Sequence, residues 1–369
     1  MKSHYKVALI LNDINWITDK ETGSKHGGAG VVIRNLYLAL TEKLNCQVDI
    51  YSKNISQYPY NMNTTKEFMI KDFIKHNNIV TLEEHLSTQN YDKIISMFKS
   101  PYFNGTILQT HTIKYRFNKV PMIIKPFRYL KDKNKIKKQE AEFFKYANSK
   151  NMIAISDIVK QDYIKNCSVK PSQITVSYPG CEQHEYNKPT QKDAISFGIV
   201  ANSSINKGGH LFLFALGIAK IFKAKFKVHI IAPLYDKDIL LKGLTKLFNL
   251  KEQTTVYNKQ KNMENFYKNI DCLVVPSKNE TFGLVTLEAM SYGKTVLVSN
   301  SAGSSEIITY NNGFIFNRNS IYDFVQKIIK ISKIYLNDFK YFTELSINSY
   351  KISQEYTWES FTNKILENI

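Results

Sequence analysis

Along this chain, short runs of consecutive apolar residues alternate with longer segments in which apolar residues recur every three or four positions. Val7 to Leu11, Val48 to Tyr51, Lys93 to Met97, Thr106 to Gln109 and Met152 to Ile155 read as strands, with helices over Val31 to Lys43 and Ile158 to Asn166. The alternation resumes with the strand Ile195 to Val200, the helix His210 to Phe222, and the strands Val228 to Ile231, Thr255 to Tyr257, Cys272 to Val275 and Thr295 to Val298. Uninterrupted apolar runs suit parallel strands covered on both faces, and their alternation with helices predicts α/β, doubly wound sheets. Between the two series lies Tyr178 to Pro189, where Pro179, Gly180 and Pro189 mark an interdomain linker. A chain of 369 residues exceeds one ordinary core, so the pattern divides it into domains at 1–185 and 190–355, with a closing helix in 356–369.

The richest chemistry falls in Asp271 to Gly303. Pro276 ends a buried strand, Ser277, Lys278, Asn279 and Glu280 form a polar loop, and Phe282, Leu284, Leu287 and Met290 then recur at helical spacing until Gly293. A helix that starts near Gly283 lets a ligand approach free backbone N–H groups, and its positive dipole end favours a phosphate. Glu280 in the loop and Glu288 in the helix can face one crevice. Such a crevice suits a sugar nucleotide, one carboxylate accepting from sugar hydroxyls and the other from ribose hydroxyls, with the diphosphate at the helix start.

Two further helix starts carry similar features. Gly27, Gly28, Ala29 and Gly30 precede the apolar face of Val32, Leu36, Ala39 and Leu40; Ile33 at the third glycine position argues against a dinucleotide fingerprint. Lys207 stands just ahead of the helix at His210, where an ammonium and a helix N-terminus can share phosphates. His111 follows the strand ending at Gln109, at the carboxyl end where open α/β sheets bind ligands. Ser156 and Asp157 can cap the helix that follows them.

Composition narrows the setting. Hydrophobic content of 43% and aromatic content of 13% exclude a disordered chain. Cys46, Cys167, Cys181 and Cys272 are scattered, which suggests a reducing compartment and no zinc site. The apolar run Val7 to Leu11 is too short for a signal peptide core, and Lys220 interrupts the richest apolar segment, so a cytoplasmic protein without a membrane span is expected. Half of the net charge of +18 comes from Lys114 to Lys138, where ten Lys or Arg face the single acid Asp132. Tyr115, Phe117, Phe127 and Tyr129 lie among these cations, a mixture that suits an anionic membrane surface or single-stranded nucleic acid. No nucleic-acid-binding motif accompanies it, so membrane docking is the expectation.

Glu280 and Glu288, with seven residues between them including Phe282 and Gly283, resemble the E-x7-E motif of retaining glycosyltransferases of family 4, which have the GT-B fold. The stretches AISDIVKQDYIK and GSSEI and the residue Gly313 are similar to that family in the same order. The resemblance implies two Rossmann-like domains facing a central cleft, with the carboxyl-terminal helix, bearing Trp358, Phe361 and Ile365, crossing back onto the first. It implies a metal-independent transfer, without cofactor, from a nucleoside diphosphate sugar to a saccharide or lipid-linked acceptor in lipopolysaccharide, capsule or exopolysaccharide assembly at the inner face of the membrane. Glu280, His111 and Lys207 would carry the transfer. Gly27, Gly28, Asn202, Lys207, Thr281, Phe282, Gly283, Leu284 and Glu288 would bind the donor. The family has an Arg where this chain has Asn202, which removes one cation from the phosphates. Glu306 reads as a structural, helix-start acid. A sugar-nucleotide epimerase of the same fold and a basic nucleic-acid-binding protein remain as alternatives, whereas a glycoside hydrolase would not need the phosphate-binding features.

Overall fold

The computed structural model describes residues 5–13, 27–54, 70–72, 85–97, 105–108, 110–112, 114–115, 132–138, 141, 151–201, 205–258 and 262–369. Asn202 and residues 116–131 of the basic segment lie outside them. The chain forms two compact units, one from Met1–Pro179 with Trp358–Ile369 and the other from Gly180–Thr357.

In the first unit the elements run β1 (Lys6–Asp13), α1 (Gly27–Leu38), β2 (Gln47–Asn54), β3 (Ile70–Asp72), β4 (Lys93–Ser96), β5 (Gly105–Leu108), β6 (Asn151–Ala154), α2 (Asp157–Cys167) and β7 (Ile174–Val176). The strands form one parallel sheet in the order β3-β2-β1-β4-β5-β6-β7. Val7 to Leu11 of β1 are fully buried, as a central strand sandwiched between layers requires. Helix α1 begins at Gly27 itself, four residues before the expected start at Val31, so Gly27 and Gly28 are exposed residues of its first turn. After Leu38 it loosens into a π-helical turn over Ala39–Lys43. Helix α2 is capped by Ser156, whose Oγ accepts the Val159 N–H at 3.2 Å, and it ends at Ser168 with φ of 55°.

The second unit contains β8 (Ile195–Val200), α3 (Gly209–Ile221), β9 (Phe226–Ile231), α4 (Ile239–Leu247), β10 (Thr254–Tyr257), α5 (Glu264–Asn269), β11 (Cys272–Val275), α6 (Leu284–Ser291), β12 (Thr295–Ser299), β13 (Gly313–Phe316), α7 (Ile321–Asn337) and α8 (Phe339–Gln354). Its parallel sheet has the order β10-β9-β8-β11-β12-β13. The chain therefore winds one way from β8 and the other way from β11, which makes the gap between their carboxyl ends the switch point. Strands β11 and β12 are buried at every position, and α7 covers the sheet with Phe324, whose ring stacks on Phe316 at 4.0 Å. Glu306 lies in a 3-10 turn over Gly303–Ile307.

The last helix, α9 (Trp358–Asn368), belongs to the first unit despite its place in the sequence. Phe361, Ile365 and Leu366 are buried there, and Ser177 Oγ donates to the Phe361 carbonyl at 3.4 Å. Cys46, Cys167, Cys181 and Cys272 are buried free thiols. Among the described residues no helix is long and apolar enough to cross a membrane.

Candidate active site

The switch point of the second unit gathers three loops. The first follows β8 and turns into α3 through Gly208, with φ of 75°; a Cβ there would lie 2.1 Å from the Pro276 carbonyl oxygen. Only a glycine lets the α3 start press so closely on the end of β11. Lys278 N donates to the Asn206 carbonyl at 3.1 Å and ties this loop to the second, which follows β11. Across that junction Lys207 Nζ donates to Glu280 Oε2. The third loop, after β12, holds the second from behind. Gly303 N donates to the Glu280 carbonyl at 3.1 Å and Ser304 N to the Phe282 carbonyl at 2.8 Å.

Gly283 is the N-cap of α6, with φ of 99°, and a Cβ on it would lie 3.1 Å from Glu280 Cγ and 3.2 Å from Ser304 Oγ. The helix start and the Glu280 side chain thus share one small space. Ser304 Oγ and Thr286 Oγ1 meet at 2.8 Å and brace the first turn of α6. The phenyl ring of Phe282 is buried at 1% exposure, so this residue offers a ligand its backbone and not its side chain. Thr281 and Leu284 are half-buried at the rim. A carboxylate, an ammonium and a first helical turn with N–H groups that have no intrahelical partner thus stand together, a set that fits hydroxyls beside phosphates.

Glu288 has other surroundings. Tyr267 donates its hydroxyl to Glu288 Oε2 at 2.8 Å, and Tyr267 stacks on Tyr292, which stacks on His184. Burial raises the carboxyl pKa of Glu288, Tyr267 offsets part of this by its hydrogen bond, and Glu182 adds to the rise. Burial, reinforced by Glu288, pushes the Cys181 thiol up to about 12. Glu288 is thus a shielded acceptor among aromatic rings, while Glu280 is an acceptor beside a cation.

In the first unit, His111 follows β5 and is buried at 3% exposure. Its Nδ1 lies 3.1 Å from Asp162 Oδ2 of α2, and its ring stacks on Tyr115 with centroids 3.9 Å apart. Tyr163 of the same helix donates to the Thr110 carbonyl at 3.0 Å. Gly27 and Gly28 sit at the α1 start, after β1. The structure therefore joins Lys207, Glu280 and Gly283 within one unit and seats His111, Gly27 and Gly28 in the other.

Three residues of these sites went unnoticed in the sequence: Asp162, Tyr267 and Ser304. For Asp162 a signal existed. Val159, Asp162, Tyr163, Asn166 and Cys167 share the buried face of α2, so a carboxylate occupies a stripe that should be apolar.

Residues 182–348 match the family Glycosyl transferases group 1. The matched residues lie within the second unit. An uncharacterized glycosyltransferase of Methanocaldococcus jannaschii is 27% identical over 59% of this chain and 59% of its own length. A sulfoquinovosyl transferase of Arabidopsis thaliana is 33% identical over 27% of this chain and 19% of its own. The chain spans less than two thirds of the length of these relatives. Among solved structures, sucrose-phosphate synthase from Thermosynechococcus elongatus aligns over 98% of both chains with a TM-score of 0.71 at 16% identity. WaaG, a glycosyltransferase involved in lipopolysaccharide biosynthesis, aligns over 98% of both chains with a TM-score of 0.66 at 14% identity. HepE of Anabaena in complex with UDP-glucose does so over 98% of both chains with a TM-score of 0.66 at 13% identity. These likenesses are of fold, and the fold of two parallel-sheet α/β units is GT-B.

Proposed function

We propose that the chain is a retaining glycosyltransferase that moves a hexose from a nucleoside diphosphate sugar to a saccharide or lipid-linked acceptor in cell-surface polysaccharide assembly. The observation that carries this reading is the Lys207–Glu280 pair ahead of the α6 start, on the loops that follow β8 and β11. As the glycosidic bond lengthens, the sugar ring gains positive charge and the diphosphate gains negative charge. Lys207 and the first-turn N–H groups of α6 stabilise the leaving diphosphate, a task for which this reading requires no metal. Glu280 accepts from hydroxyls of the sugar, Glu288 from those of the ribose, and His111 meets the donor sugar. Same-face attack assisted by the departing phosphate gives retention without a protein nucleophile. The complex of HepE with UDP-glucose and the lipopolysaccharide role of WaaG support the donor class and the pathway class. The acceptor side includes the basic segment Lys114 to Lys138, whose charge suits an anionic membrane surface.

A thermal-shift screen against UDP, GDP, ADP and TDP sugars tests the reading, because a ligand that binds only the folded state raises its melting temperature. A rise with one nucleotide series is expected, followed by acceptor-dependent release of that nucleoside diphosphate. No rise with any series and no release would overturn it.

A further inference from the structure

The carboxylate of Asp162 is 0% exposed and takes part in four hydrogen bonds. Oδ2 accepts from Thr112 N at 2.8 Å and faces His111 Nδ1 at 3.1 Å. Oδ1 accepts from Thr112 Oγ1 at 2.6 Å and from Asn166 Nδ2 at 2.8 Å. The Thr112 hydroxyl in turn accepts from Tyr115 N at 3.0 Å, so its proton points to Asp162. A backbone amide, a side-chain amide and this hydroxyl can only donate here, so the carboxyl group has no room for a proton of its own. Burial alone would raise its pKa, yet the hydrogen bonds from His111, Thr112 and Asn166 bring it below the ordinary value.

Against an ionised carboxylate, His111 Nδ1 can only donate. The other ring nitrogen, Nε2, is buried and has no hydrogen-bond partner among the described residues. The stack on Tyr115, with planes 10° apart, fixes the direction in which Nε2 points. A lone pair on Nε2 needs no partner there, whereas an N–H would be a buried donor with nothing among the described residues to receive it.

We infer that Asp162 is a positioning residue that fixes the tautomer of His111, so that Nε2 presents a lone pair to a hydroxyl of the donor sugar. The sugar part of this statement rests on the proposed function; the role of Asp162 does not. An open lone pair selects for ligands that donate. A sugar hydroxyl fits it, whereas a phosphate oxygen or a carboxylate meets repulsion.

The test is nitrogen NMR on the full chain labelled with 15N-histidine, with the His111 signals assigned by their loss in His111→Gln. In the ligand-free protein near neutral pH, Nδ1 protonated and Nε2 unprotonated is the expected result; a protonated Nε2 overturns the inference. Addition of a nucleotide sugar should shift the Nε2 signal, and the matching nucleoside diphosphate should not. A silent Nε2 beside a nucleotide sugar that calorimetry shows to be bound also overturns it. In Asp162→Asn the side chain no longer carries the negative charge that holds the proton on Nδ1, so a fraction of Nε2-protonated ring should appear in the spectrum. Its kcat/KM for transfer should fall by about 10–100-fold with nucleoside diphosphate affinity unchanged. Should that variant fail to fold, or should no nucleotide sugar bind, the ligand-free spectrum still decides the role of Asp162.

Discussion

Lys207 and Glu280 meet with side chains 38% and 17% exposed, whereas His111 and Asp162 meet with side chains 3% and 0% exposed. The first pair sits where water screens both charges, so an arriving diphosphate can replace Glu280 as the partner of Lys207 at small cost. The second cannot exchange partners without stranding a buried carboxylate and the four donors that serve it. One centre is built to be rearranged by a ligand. The other holds a ring still, with Nε2 buried and unpartnered among the described residues.

The largest effect should come from breaking the buried centre. Asp162→Ala removes the acceptor of Thr112 N, Thr112 Oγ1, Asn166 Nδ2 and His111 Nδ1, and should cost about 3–5 kcal/mol of stability. Denaturant unfolding of the variant measures it, and a loss under about 1 kcal/mol would erase the contrast. Next comes the exposed centre, where the effect should move from stability to activity. Glu280→Gln should lower transfer by about 10²–10³-fold, while its unfolding midpoint stays within about 1 kcal/mol of the parent. If both properties fell together, Glu280 would be a structural residue.

A smaller effect distinguishes burial from pairing. Lys294 is 3% exposed, and its ammonium donates to the neutral Asn187 Oδ1 at 2.8 Å. Burial lowers its pKa from 10.5 to about 8, although Asp271 opposes the change. Between those two values the unfolded chain binds more protons than the folded one, so this group makes stability rise with pH from about 8 to 10.5. Its penalty is complete below that window and amounts to on the order of 1–3 kcal/mol. Lys294→Met should flatten this rise relative to the parent in melting scans across that range. A parallel pair of curves would show that the ammonium is solvated in the folded state.

Most of the α/β pattern was legible because each strand buried on both faces is a local apolar run, as in Cys272–Val275, and each helix shows its own period. Helix starts were read less well where glycine is involved. The pattern starts that helix at Val31, four residues late, because a glycine without a side chain enters a first turn as readily as it leaves one. Lys207 and Glu280 could each be suspected from position, yet the bond between them spans 73 residues and depends on β8 lying beside β11. No local pattern encodes that adjacency; the switch in winding direction does. Asp162 was hidden for the opposite reason, since an isolated acid on a helix is usually solvated, and only the buried stripe around it shows otherwise.

The central claim is that a nucleoside diphosphate binds at the carboxyl ends of β8 and β11 with Lys207 on its phosphates. Calorimetric titration of the nucleoside diphosphate chosen by the thermal screen into the parent and into Lys207→Met tests it most directly. The account predicts a single saturable site in the parent and affinity about 10–100-fold weaker in the variant, the loss of one charge-assisted hydrogen bond. Equal affinity in both proteins would contradict it.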